Sequence, residues 1–159
     1  MNKLFNDFLG RKLTISEVVD ELVGFMREND KRKYKIIIGT DSQGLEDKTA
    51  DFVNAIVIHR VGNGGRYFWR REKLGKFYTM RDRIIQEAVS SIDVAKEVLK
   101  KLKGHNTPAF GFEIHVDVGE QGETRTIINE VVGMVRANNF EVKIKPHSYA
   151  ASKVADKHT

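Results

Sequence analysis

The chain has 159 residues, 40% of them hydrophobic, which suffices for one substantial core and is short for two, so one domain over residues 1–159 is expected. Cysteine is absent, which excludes disulfide staples and thiolate metal sites and leaves oxygen or imidazole to hold any metal. Basic residues number 27 against 22 acidic, a formal charge of +5 that favours encounter with a polyanion but does not specify one.

Residues 1–11 carry no long apolar run, and no later stretch approaches the roughly 20 apolar residues that span a bilayer. The expectation is a cytoplasmic, soluble protein with no membrane partner. Thr14-Ile15-Ser16-Glu17 has capping-box form, and Val18, Val19, Leu22, Val23 and Met26 recur at helical spacing, which predicts an opening helix over about 14–28. The core proper is expected over about 34–159. It starts with Tyr34-Lys35-Ile36-Ile37-Ile38-Gly39-Thr40-Asp41, a β-branched run of the kind found in strands buried on both faces. Phe52 to Arg60 reads as a second strand. The turn signal Val61-Gly62-Asn63-Gly64-Gly65 joins it to a third, Arg66 to Arg71, so three antiparallel neighbours are predicted.

The longest helix is predicted from Thr79 through Ile84, Ala88, Ile92, Ala95 and Leu99 to a stop near Gly104. Phe110 to Val118 follows as a strand with Glu113, His115 and Asp117 on one face and Phe112, Ile114, Val116 and Val118 on the other. A loop, Gly119 to Glu123, leads to a helix from about Thr124 to Ala137, then a strand Phe140 to Lys145 that Pro146 stops. The segment from Tyr149 to Thr159 can begin a last helix carrying Asp156.

Three antiparallel strands followed by helix, strand, helix, strand make a mixed α/β sheet with right-handed crossovers. Ligand sites in open α/β sheets gather beyond the carboxyl ends of strands. Asp41 and Asp117 both stand at such ends, so two acids far apart in sequence can converge, at an energy that a cation or a proton must offset.

Ile38-Gly39-Thr40-Asp41-Ser42-Gln43, His115-Val116-Asp117-Val118-Gly119, and Lys145-Pro146 followed by Ala151 to Lys157 resemble the ribonuclease H-like superfamily, and within it the YkuK family. The resemblance spans nearly the whole chain from Tyr34 onward. It implies a ribonuclease H-like mixed five-stranded sheet, here with an extra N-terminal helix. It also implies a four-carboxylate site that binds two Mg²⁺ or Mn²⁺ ions and cleaves or transfers phosphodiesters. Carried over by position, the first-strand acid is Asp41, the fourth-strand acid Asp117 and the late-helix acid Asp156. For the helix acid, Glu87 lies on the margin of the apolar stripe in the early half of the long helix; Asp82 competes, though capping already explains it. In this assignment Asp41 bridges both ions, Glu87 and Asp117 complete one shell and Asp156 the other. Such a pair of ions, roughly 4 Å apart, activates water and stabilises the leaving oxygen, and hard cations prefer carboxylate oxygens.

Each residue also has a plainer reading. Asp41 can be a turn residue bonded to nearby amides, Asp117 a solvent-side strand residue, Glu87 one charge of a solvated helix face, and Asp156 part of a fraying end. Ser42 can contact a scissile phosphate or be a turn hydroxyl. His115 can be packed, while His147 and His158 stand where related enzymes keep a mobile histidine. Arg70 and Arg71, in a basic cluster interleaved with Tyr67 and Trp69, suit contact with a nucleic-acid backbone and base stacking, or are the solvated charges of an ordinary strand. The leading functional reading is a metal-dependent nuclease acting on RNA, DNA or hybrid. A catalytically inactive nucleic-acid-binding module on the same fold is the alternative. A nucleotide-binding role lacks the paired Gly-rich phosphate loops it would need. Substrate type and oligomeric state leave no mark in the pattern.

Overall fold

Ile36, Ile37 and Ile38 have no solvent exposure at all, because their strand has a neighbour on each edge and a layer on each face. A computed structural model of the chain describes residues 4–158, and for 151, 152 and 156 the backbone alone. Among the described residues one sheet holds seven strands: β1 (Phe5–Asn6), β2 (Lys12–Leu13), β3 (Tyr34–Gly44), β4 (Thr49–Arg60), β5 (Gly65–Gly75), β6 (Phe110–His115) and β7 (Glu141–Lys143). Their order is β2-β1-β5-β4-β3-β6-β7. β3, β4 and β5 form an antiparallel meander, β6 lies parallel to β3, and β7 lies parallel to β6.

The pattern predicts five strands where the sheet has seven. β1 and β2 are two residues each, too short to carry a period, and they pair along the outer edge of β5 with Asn6 opposite Trp69. An edge that would expose a row of unpaired amides is thereby capped in part.

Helix α1 (Ile15–Glu28) begins with the expected capping box: Glu17 N–H donates to Thr14 Oγ1 at 3.2 Å and Thr14 N–H to Glu17 Oε1 at 2.9 Å. With α2 (Met80–Leu102) and α3 (Ile128–Ala137) it covers one face of the sheet. Val18, Leu22 and Met26 of α1, Ile92, Ala95 and Val98 of α2, and Val131 and Val135 of α3 share a cluster with Ile36, Ile38, Ile56, Ile58, Phe68 and Ile114. The alternate residues Ile37 and Val57 pack on Ala150, and Val53 and Ala55 on Ala155. A π-helical turn, Ala150–Ala155, and a 3-10 turn, Asp156–His158, thus cover part of the opposite face, where the pattern predicts a regular last helix.

Several boundaries differ from expectation: β3 runs on to Gly44 past Asp41, β4 starts at Thr49 rather than Phe52, β5 continues to Gly75 rather than Arg71, and β7 spans only Glu141–Lys143. The helix predicted from about Thr124 starts as a 3-10 segment, Glu123–Ile127, and becomes α-helical only at Ile128, with no side-chain cap at either start to organise the first turn. The strand predicted to Val118 ends its ladder with β3 at His115. Val116 N–H still donates to Lys143 O and Lys145 N–H to Val118 O, so the chain stays beside β7 as it parts from β3.

Because α1 is packed into the shared core, its interior residues should carry global stability. Leu22 is fully buried, and Leu22→Ala should cost about 2–5 kcal/mol in urea unfolding with an unchanged slope. A change below about 0.5 kcal/mol would show α1 to be an appendage instead.

Candidate functional site

The last parallel pair between β3 and β6 is Gly39 opposite His115. Two residues further along each chain stand Asp41 and Asp117, at the crevice where the two strands part. Asp41 is 9% exposed, and the Asp117 side chain is 23% exposed with Lys145 Nζ 3.2 Å from its Oδ1.

The third acid comes from the helix layer. Strand alternation turns Thr40 and Ser42 toward α2, and Ser42 Oγ donates to Glu87 Oε2 at 2.6 Å. Glu87 is 5% exposed, and it lines one small cleft together with Thr40, Ser91, His115 and Asp117. Burial pushes its carboxyl well above the ordinary glutamate range; the Ser42 hydrogen bond opposes this, the charges of Asp41 and Asp117 push further in the same direction, and Arg83 opposes. Glu87, Asp41 and Asp117 therefore share one electrostatic environment in which full ionisation is costly. Asp82, the other helix acid, is exposed in the first turn, where its N–H donates to Thr79 Oγ1 at 3.0 Å.

Among the described residues no three histidine or carboxylate side chains are grouped closely enough to hold one ion. The side chain of Asp156, which opens the 3-10 turn on the far face, lies outside the described residues. The donor chemistry nonetheless suits a hard divalent cation: oxygen ligands only, partly desolvated, with mutual repulsion that a cation would relieve.

A buried polar chain anchors the end of β3. Thr40 Oγ1 and Ser91 Oγ are 2.7 Å apart, Asn54 Nδ2 donates to Thr40 Oγ1 at 2.8 Å, and Arg70 Nε donates to Asn54 Oδ1 at 3.0 Å. Arg70 is therefore turned to the helix side, its guanidinium 4.8 Å from the centre of the Phe5 ring. Arg71 projects to the opposite face and donates to the His158 carbonyl. Neighbours on a strand alternate, so the two arginines do not form one patch.

His115 is buried, with Nε2 2.8 Å from Glu113 Oε1 and Nδ1 accepting from Ala150 N–H at 3.1 Å. That pairing requires the proton on Nε2, and burial holds the ring below its ordinary basicity. Its role here is to tie β6 to the segment that follows Tyr149. His147 is exposed, and His158 is stacked on Trp69 at 4.1 Å between ring centres. Two cations escaped the sequence reading. Arg83, one turn before Glu87, packs so closely on Gly44 that a Cβ there would meet its guanidinium at 2.4 Å, and its spacing of four from Glu87 was the available signal. Lys145, beside Asp117, stands in a motif already noted for its Lys-Pro pair.

The ribonuclease H-like family model matches residues 17–159. A Bacillus subtilis (strain 168) protein described as the uncharacterized protein YkuK is 30% identical over 170 positions, covering 98% of this chain and 96% of that protein. No solved structure matches significantly. A meander followed by two parallel strands, acids at the parting of β3 and β6, and a family match over nearly the whole length agree: the chain belongs to the ribonuclease H-like family.

Proposed function

We propose that this protein is a divalent-metal-dependent nuclease. The observation that carries the reading is Glu87, a carboxylate 5% exposed whose ionised form is opposed both by burial and by Asp41 and Asp117. A fold does not retain such an arrangement for stability, since buried like charges cost free energy, and strongly shifted groups in a crevice mark functional sites. Glu87, Asp41, Asp117 and Asp156 would hold two Mg²⁺ or Mn²⁺ ions, which when bound polarise the phosphodiester and lower the pKa of water.

The chain's own groups have distinct tasks. Ser42 orients the Glu87 carboxylate through its hydroxyl. Arg83 and Lys145 place positive charge on two sides of the crevice, where a phosphate would otherwise meet only acids. The Thr40–Asn54–Ser91 chain keeps the β3 end and α2 at constant separation, which a site of this kind requires to a fraction of an ångström. The net charge of +5 assists encounter with the polyanion. A binding module without turnover is the competing reading, and the same assay separates them.

End-labelled RNA, DNA, hybrid duplex and four-way junction, incubated with Mg²⁺ or Mn²⁺, should reveal cleavage of at least one substrate. EDTA and Asp41→Asn should each reduce it to background. Binding that survives Asp41→Asn with no cleavage of any substrate would leave the binding module.

A second expectation concerns stability. The folded-state pKa of Glu87 is raised, so its contribution to stability is full below the ordinary glutamate value of 4.5 and is lost as pH rises toward the folded value. Glu87→Gln keeps an acceptor for Ser42 and removes the charge. In metal-free protein near pH 8 it should raise Tm by a few degrees, at about 2–4 °C per kcal/mol, while abolishing cleavage. An equal or lower Tm, measured by calorimetry, would mean that the glutamate is not strained.

A further inference from the structure

Tyr67 and Trp69 alternate on β5 and share the sheet face that also carries Ile37 and Asp41. The imidazole of His158 lies parallel on the Trp69 ring, 4.1 Å between centres and 9° between planes. It also tilts over Tyr67 at 5.6 Å, and its Nε2 is 3.2 Å from the Tyr67 hydroxyl. Lys157 stands 6.0 Å over Tyr67, and Arg71 reaches the His158 carbonyl. A flat heteroaromatic ring stacked on tryptophan, hydrogen-bonded at its edge and flanked by cations is the way proteins hold an unpaired base of a single strand.

The register places this platform next to the acids. Asp41 pairs with Val53 and Val53 with Arg71, while Gly39, Ala55 and Trp69 form the neighbouring row on the same face. At about 4.8 Å between strands and about 3.3 Å per residue, Trp69 lies about 12 Å from Asp41, a few nucleotides of a strand whose phosphates repeat at about 3.4 Å or more. Beyond Tyr67 an open cleft of about 360 Å³, lined by Val57, Tyr67, Tyr149, Lys35 and His59, continues the path away from the acids.

We propose that Tyr67 and Trp69 form a base-stacking platform for single-stranded nucleic acid, occupied in this structure by the chain's own His158, which the incoming strand displaces. The site rests on the nuclease reading for its position but not for its detection. The chain has one tryptophan, so intrinsic emission reports on the platform directly.

The test titrates full-length protein with a short, fluorescently labelled oligothymidylate in EDTA, where nothing is cut. Anisotropy of the label measures binding anywhere on the protein; Trp69 emission measures binding at the platform. The expected result is saturable quenching of Trp69 with the same Kd as the anisotropy change, and no quenching by a blunt duplex. His158→Ala, which clears the ring, should tighten binding severalfold. Trp69→Leu should weaken it about five-fold or more, the range set by one lost stack, whereas Trp69→Phe, which keeps a ring, should bind nearly as the parent does. Anisotropy that reports binding while Trp69 emission stays unchanged, with His158→Ala and Trp69→Leu both binding like the parent, overturns the platform and leaves the nuclease reading standing. An oligonucleotide that produces neither signal overturns the platform alone, because cleavage of RNA, hybrid duplex or junction in Mg²⁺ or Mn²⁺ tests the nuclease reading separately.

Discussion

Everything in this molecule is arranged around the double burial of β3. A strand whose successive residues Ile36, Ile37 and Ile38 all avoid water must be covered on both faces and flanked on both edges. The three helices supply one cover and the segment after Tyr149 supplies the other. The meander occupies one edge and the parallel pair β6 and β7 the other. The polar end of the same strand, Thr40 to Gln43, consequently projects from this fully buried stretch into the crevice beside β6. Hydrophobic burial several residues upstream fixes the strand end that carries Asp41, and the Ser42 and Lys145 contacts then hold Glu87 and Asp117.

That rigidity has an energetic opponent. Bringing Glu87 under the helix layer, within electrostatic reach of Asp41 and Asp117, removes hydration from a group whose charged surroundings share its sign. Ser42, Arg83 and Lys145 offset part of the cost, each from a different element. The polar chain through Thr40, Asn54 and Ser91 matters for the same reason. It replaces water for buried hydroxyls and an amide, and it couples β3, β4 and α2 so that repulsion between the carboxylates cannot be relaxed by small shifts of one element.

The fold was readable where periodicity is strong and opaque where it is not. The triple isoleucine, the Gly-rich hairpin turn and the stripe of α2 predict β3, the β4–β5 hairpin and the long helix because each repeats over many residues. β1 and β2 repeat over none, and they are defined only by the β5 edge they meet. The pattern singles out Asp41 and Asp117 as strand-end acids and Glu87 as an acid on the margin of an apolar stripe; β3 in fact runs on to Gly44, so Asp41 stands where β6 leaves it rather than at the strand's own end. What a cluster of basic residues conceals is its sidedness. Arg70 and Arg71 read as one cluster, yet a strand places them on opposite faces, one in the polar chain under the helices and the other against the segment after Tyr149. His115 is the packed residue that the pattern allows, its two ring nitrogens committed to Glu113 and to the Ala150 amide.

These commitments join two parts of the molecule that sequence separates. Ala150 N–H on His115 Nδ1 fastens the start of the last segment to β6, two residues from Asp117. At its other end, Arg71 and Trp69 hold His158 on β5. The segment between is packed through Ala150 and Ala155 across β3 and β4, so its position is set by three strands at once. Small residues at those two points allow the close approach, because a larger side chain at either would lift the segment off the sheet. The segment is therefore a strap held at both ends, by the His115 ring two residues before Asp117 and by Trp69 and Arg71 on β5, and it carries the backbone of Asp156 between those two fastenings.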